Sequence, residues 1–230
     1  MDDKVQVCPY CQYKSACFEH LNEEELLFAN KSKVHIRYKK GETIAKQGAF
    51  VTNVHYVRQG LVKIYKEHNT EANVIYDILP AGSLVGLSNL YFSETFQFSA
   101  ASLTESTICS IDKSVLEKLI QENGLFARSV LENVNEEIHH LRNKMVSLTQ
   151  KQLRGKLADS LIYLTERVFF SNTFSNKLSR NDLAEFSGMS MMSVVRTIQE
   201  FIRLGYLEEH QGKMKIQDIS ALKKISQETL

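Results

Sequence analysis

Leu178-Ser179-Arg180-Asn181-Asp182-Leu183-Ala184-Glu185-Phe186-Ser187-Gly188-Met189-Ser190-Met191-Met192-Ser193-Val194-Val195-Arg196 is the stretch whose reading decides the fold. Ser179 with Asp182 three residues later marks an N-cap and its N3 partner, so a helix starts here. Gly188 supplies the turn. Ser190 caps a second helix, Met191 to about Leu204, and Gly205 stops it. Ala184 and Gly188 are small where the two helices must cross closely. Leu207 to Ile216 then reads as a β-hairpin around Gln211-Gly212. Helix, glycine turn, helix and wing in this order predict a winged helix-turn-helix, whose second helix enters the major groove of double-stranded DNA.

Working upstream, a further helix is expected from about Gln150 to Phe169. Before it, Leu131, Val134, Ile138, Leu141, Met145 and Leu148 recur at alternating spacings of three and four. Their flanks, Glu132, Glu136, Glu137, Arg142 and Lys144, are charged. A strict 3.5-residue period is the seam of a coiled coil, so these six predict a dimerisation helix and a homodimer. The alternative is an amphipathic helix covering its own β domain, which usually shows a broader apolar face.

From Val34 to Asp112 the pattern is short β runs: Val34–Tyr38, Val54–Arg58, Leu61–Tyr65, Val74–Leu79 and Thr107–Ile111. Glycines, among them Gly60, Gly82 and Gly86, punctuate them. Regular turns between short strands predict a compact antiparallel sandwich or barrel. The fold class is therefore α+β. It divides into a cysteine-containing arm over 1–33, a β sensor domain over 34–112, the dimerisation helix over 113–149 and the DNA-binding domain over 150–230.

Composition sets the bounds. Among 230 residues, 43% are hydrophobic and 24% charged, which excludes a disordered chain. The opening Met1-Asp2-Asp3-Lys4 lacks a basic and then apolar leader, and no apolar run reaches membrane-spanning length. A cytoplasmic protein without membrane contact is expected, with its thiols reduced. Residues 150–230 hold 12 Lys and Arg against 9 Asp and Glu, while residues 1–149 hold 16 against 18. The C-terminal part is mildly the more basic, as a DNA-contacting module should be.

The chain has four cysteines, Cys8, Cys11, Cys17 and Cys109. The first two form a CxxC, spaced as a local chelate, and Cys109 lies on the last strand-like run. Three plus one reads as the ligand set of one metal centre. All-thiolate ligation suits both an iron–sulfur cluster and tetrahedral zinc, for which His20 could replace a cysteine, and redox-active thiols are a third reading. Buried core thiols could explain Cys109 alone. They do not explain three cysteines in a polar arm with little core to join.

The assembled order resembles the cAMP receptor protein/fumarate-nitrate-reduction regulator (CRP/FNR) family over essentially the whole chain. The resemblance is carried by Val57-Arg58-Gln59-Gly60-Leu61-Val62-Lys63-Ile64-Tyr65, by Pro80-Ala81-Gly82-Ser83-Leu84-Val85-Gly86, and by Leu178 through Arg196. It implies a β-roll of the cyclic-nucleotide-binding, jelly-roll type and RNA polymerase as a partner. Cys8, Cys11, Cys17 and Cys109 are similar in spacing to the FNR branch, which implies a [4Fe–4S] cluster and oxygen sensing. Cyclic-nucleotide binders of the family place a glutamate and an arginine where this chain has Leu87 and Phe98. An apolar ring cannot pair a phosphate, so no cyclic nucleotide is expected.

The same resemblance puts Arg196 where relatives aim an arginine at guanine, which it can bond bidentately. The alternative is an i+4 pair with Glu200. Ser179, Ser190 and Ser193 stand where hydroxyls and helix N-terminal amides hold phosphates, and Arg180 is a further DNA-binding candidate. Met191 and Met192 replace an arginine and a glutamate, so the operator should differ from those relatives' sites. Two competing classes are a constitutive DNA-binding protein with structural zinc and an iron–sulfur electron carrier or enzyme. The latter would leave the helix-turn-helix without a role, and the chain has no second cofactor motif or catalytic constellation. No enzymatic activity is expected.

Overall fold

The computed structural model describes residues 8–11, 14, 16–67, 73–175 and 178–228. Met1–Lys4, read above for a leader, lie outside the described residues, as do Gln12, Tyr13 and Ser15 of the cysteine arm. The chain falls into two compact units, Met1–Ile64 with Leu79–Ile138, and Tyr65–Ile78 with His139–Leu230.

In the first unit, 3-10 turns at Cys8–Tyr10 and Ala16–His20 lead into α1 (Glu23–Lys31). Asn22 Oδ1 accepts the Glu25 N–H and the Glu25 carboxylate accepts the Asn22 N–H, a reciprocal capping box. Eight strands follow in the chain, the end of β4 and most of β5 belonging to the second unit: β1 (Val34–Tyr38), β2 (Thr43–Ala45), β3 (Asn53–Gln59), β4 (Leu61–Lys66), β5 (Val74–Pro80), β6 (Leu84–Val85), β7 (Ser99–Ser102) and β8 (Ser106–Asp112). They form two four-stranded sheets, β1-β8-β3-β6 and β2-β7-β4-β5. Strand β8 is central to the first, with His35 of β1 and Tyr56 of β3 opposite Cys109 on its two sides. Gly60, at φ +100°, joins β3 to β4. A β-carbon there would lie 2.2 Å from Ser106 Oγ, so only glycine closes this turn.

Helices α2 (Lys113–Glu122) and α3 (Gly124–Gln150) complete the helical stretch. The single helix expected over 113–149 is thus two. Asn123 breaks it: its backbone is extended and its Oδ1 accepts the N–H groups of Leu125 and Phe126, starting α3 afresh.

A second expectation is corrected. The cysteine arm does have a core to join. Cys8, Cys17, Phe18 and Leu21 are buried with Leu26, Val54, Ile111, Leu116, Leu119 and Phe126 in one apolar cluster. Phe18 packs edge-on against Phe126, ring centroids 5.6 Å apart. The arm is polar by composition, but Phe18 and Leu21 anchor it beside the β-roll.

The second unit continues with α4 (Leu153–Tyr163), a π-helical turn Leu164–Val168, β9 (Thr173–Ser175), α5 (Arg180–Ser187), α6 (Met191–Arg203), β10 (Leu207–His210), β11 (Lys213–Ile216) and α7 (Ile219–Gln227). Leu157, Leu161 and Leu164 share one apolar core with Leu183 and Phe186 of α5, Val194, Ile198 and Phe201 of α6, and Leu222 of α7. Strands β10, β11 and β9 form a three-stranded sheet, and the two-residue turn Gln211-Gly212 has both φ positive, as a tight hairpin requires. No described helix is long and apolar enough to cross a membrane.

Candidate thiol site and DNA-reading surface

Cys8, Cys11 and Cys109 line one small cavity of the first unit, together with Lys14, Lys33 and Tyr56. The 3-10 turn that holds the CxxC closes on itself, the Cys11 N–H donating to the Cys8 carbonyl at 3.2 Å. It is tied to α1 by the Cys8 N–H, which donates to Asn30 Oδ1 at 3.1 Å. Strand β8 delivers Cys109 from the sheet side. Residues far apart in sequence thus present three thiols to one space.

Cys17 does not join them. Its sulfur accepts from Asn133 Nδ2 at 3.1 Å and its thiol donates to the Ser129 carbonyl at 3.6 Å, both on α3. Among the described residues no three metal-binding side chains stand close enough to hold an ion as they are. Burial pushes the Cys8 thiol up and the Cys109 thiol up to about 11, outweighing the nearby Lys33 charge. Tyr56 is likewise raised, first by burial and then by Cys11 and Cys109. Burial thus favours the protonated form of Cys8 and Cys109, and a ligated metal would have to displace those protons.

The donor set therefore fits an all-thiolate centre in three of its four members, and the fourth must turn from α3. The cavity is ≈ 30 Å³, which is room for about one water, so a larger group enters only if the arm moves outward. His20 lies on the exposed end of its 3-10 turn and does not line this cavity.

At the positions that cyclic-nucleotide binders use, Leu87 is buried in the apolar cluster. Phe98 is buried edge-on against Phe96, which stacks on His55.

In the reader, Ser179 Oγ accepts the Asp182 N–H at 3.0 Å and Asp182 Oδ2 accepts the Ser179 N–H at 3.1 Å. Gly188 ends α5 in the left-handed region, where a β-carbon would lie 2.4 Å from Leu148 Cδ2. Ser190 Oγ caps α6 by accepting the Ser193 N–H at 3.1 Å. Val194, Ile198 and Phe201 bury one face of α6. The opposite stripe, Met192, Arg196, Gln199 and Arg203, is exposed at i, i+4, i+7 and i+11.

Met191 is exposed too. Arg196 has no ion pair or hydrogen bond among the described residues. Glu200 instead pairs with Arg154 at 3.2 Å, so the i+4 alternative for Arg196 is not what forms. Arg180 is engaged: its guanidinium holds both Glu209 oxygens, at 2.6 and 2.7 Å, tying α5 to the wing. Gln199 and Arg203, absent from the sequence reading, share the Arg196 face, and helical spacing from Arg196 was the signal for them.

On α3 four of the six seam residues face solvent in the single chain, while Val134 packs against the first unit's apolar cluster and Leu148 against the Gly188 turn. Leu131 and Met145 are 64% and 63% exposed, Ile138 and Leu141 also exposed, and Val134 and Leu148 half-buried.

A β-roll followed by a winged helix-turn-helix defines a DNA-binding regulator, not an enzyme. Residues 35–123 match the cyclic nucleotide-binding domain family and residues 155–225 the Crp-like helix-turn-helix domain family. The chain is 27% identical over 184 residues to the transcriptional activator protein FnrA of Stutzerimonas stutzeri, covering 78% of this chain and 75% of that one. It is 24% identical over 205 residues to the nitrogen fixation regulation protein FixK of Bradyrhizobium diazoefficiens, covering 87% and 81%. The solved structure of FixK2 from Bradyrhizobium japonicum superposes with a TM-score of 0.79 at 19% identity, covering 86% of this chain and 99% of that one. The chain belongs to the CRP/FNR family of transcription regulators.

Proposed function

We propose that this regulator is a cytoplasmic homodimer whose affinity for its operator follows oxygen or redox state through a [4Fe–4S] cluster held by Cys8, Cys11, Cys17 and Cys109. The observation that carries this reading is the convergence of Cys8, Cys11 and Cys109, from two distant parts of the chain, on one cavity. An iron–sulfur cluster supplies an oxygen-sensitive redox centre held by thiolates. What the protein contributes is the arm, anchored by Phe18 and Leu21, and the rigid strand that presents Cys109. The signal is not a cyclic nucleotide, a reading supported by buried Phe98 and Leu87. FnrA is described as a transcriptional activator, which supports transcription activation as the role here.

Two protomers joined along Leu131, Val134, Ile138, Leu141, Met145 and Leu148 would present two copies of α6 to a two-fold operator. Arg196 reads a base edge, with Met191 and Met192 beside it. Ser179, Ser190 and Ser193 approach phosphates, and Arg180 positions the wing through Glu209.

The test is operator affinity and sedimentation on one anaerobic sample, before and after air, beside Cys109→Ala. The proposal expects tight binding only for the anaerobic wild type, with Cys109→Ala weak throughout and still dimeric. Full binding by Cys109→Ala would contradict it and favour a constitutive protein with structural zinc or no metal.

A further inference from the structure

The second unit contains a cleft of ≈ 650 Å³ walled by the C-terminal half of α3, by α4 and by the end of α5. This is within the size range of small-molecule sites, about 300–1,000 Å³. Its most unusual feature is Lys144. The ammonium is buried, has no hydrogen-bond partner among the described residues, and lies 3.3 Å from the centroid of the Phe186 ring. A buried ammonium without an acceptor is costly, and one ring face replaces only part of its hydration.

Two ion pairs hold other charges of the cleft, and Arg167, which also lines it, is engaged in its own interaction. Lys151 pairs with Asp159 at 2.8 Å, and Glu166 pairs with Lys223 at 2.7 Å. Asp77, the carboxylate nearest in character to a counter-ion, accepts from the Tyr163 hydroxyl and lies 3.7 Å from His140 Nε2, but forms no ion pair with Lys144. Burial holds the Lys144 pKa down at about 7, so an arriving anion would restore its proton. His140, Lys144 and Ser147 form one stripe of α3 that lines the cleft, Lys151 follows just past the end of α3, and Leu148, the last seam residue, also lines it.

We propose that this cleft binds a small organic anion, its carboxylate, phosphate or sulfonate on the Lys144 ammonium and its apolar part against Phe186, Tyr163 and Ile162. Those groups combine one unsatisfied donor with an apolar and aromatic wall, the usual make-up of a ligand site. The site is independent of the thiol cavity, which lies in the other unit.

Titration with anilinonaphthalene sulfonate, read by fluorescence, tests this on the full chain. The expected result is saturable binding at one site per chain. Anilinonaphthalene without the sulfonate should bind at least about tenfold more weakly. Lys144→Met should weaken sulfonate binding about as much, and Lys144→Arg should restore part of it. Asn143→Trp, at an exposed position lining the cleft, should block it, with circular dichroism reporting that each variant stays folded. Wild-type binding by Lys144→Met, or equal affinity for the uncharged probe, would overturn the proposal.

Discussion

Asn133 holds the Cys17 sulfur by its side-chain amide at 3.1 Å, one residue before half-buried Val134 of the α3 seam. The fourth thiol of the proposed centre is therefore bound to the helix proposed to dimerise. Occupying the centre requires breaking that contact, which gives the arm a direct mechanical link to α3.

Removing the amide should loosen the thiol. A typical hydrogen bond contributes about 1 kcal/mol, so Asn133→Ala should speed alkylation of Cys17 in metal-free protein roughly fivefold. Cys109, packed in β8, should react at its wild-type rate. Peptide mass spectrometry of timed alkylation measures both; an unchanged Cys17 rate would mean that Asn133 does not restrain it.

Ile138→Glu should give a monomer. Each Leu or Ile of the seam contributes roughly 1.5–3 kcal/mol if buried between subunits, and two facing carboxylates there could not be hydrated. Light scattering reads the result, and operator binding should fall with it because two half-sites are read together. A monomeric wild type would contradict the seam.

Arg196→Ala should weaken specific binding by about 1–3 kcal/mol and relax preference at one base pair per half-site. Arg196→Lys keeps the charge but loses the planar fork, so it should recover only part of the specificity. Arg180→Ala should leave base preference unchanged, since Glu209 already occupies that guanidinium. Selection of preferred sequences from a randomised pool distinguishes the three variants.

Two buried groups set the pH dependence of stability. Burial lowers the His55 pKa from 6.5 to about 4, so between these values the unfolded chain binds the extra proton. Stability should fall as pH drops through that window, by up to about 3 kcal/mol, and His55→Gln should flatten the fall. Lys144, lowered from 10.5 to about 7, should make stability rise as pH increases between those values. Lys144→Met should be more stable than wild type at pH 7 by roughly 3–5 kcal/mol. Urea unfolding across pH measures both; a flat wild-type profile would contradict them.

The reader was the most legible part of the sequence because its signals are local. Ser179 with Asp182, Gly188, Ser190, Gly205 and Gln211-Gly212 each act within a few residues and stand where their chemistry implies. The long strands were legible for the same reason. Strands β2, β6 and β7 were not, being two to four residues long and too short to show alternation. Helix α7 carried readable signals in the Asp218 cap and in Ile219, Leu222 and Ile225 at one-turn spacing. Strand β9, three residues beside the wing, carried none. At the thiol site, spacing identified four cysteines but not that Cys17 packs on α3, since that contact spans 116 positions. The cleft around Lys144 was equally hidden, because Lys144 reads as an ordinary solvated flank of a coiled coil until α5 brings Phe186 over it.

Visible absorption of protein purified without air, with iron and acid-labile sulfide measured on the same sample, tests the central claim most directly. The account predicts a broad visible band, iron and sulfide in equal amounts, bleaching on exposure to air, and a colourless Cys109→Ala. A colourless wild type carrying zinc, or no metal at all, would contradict it.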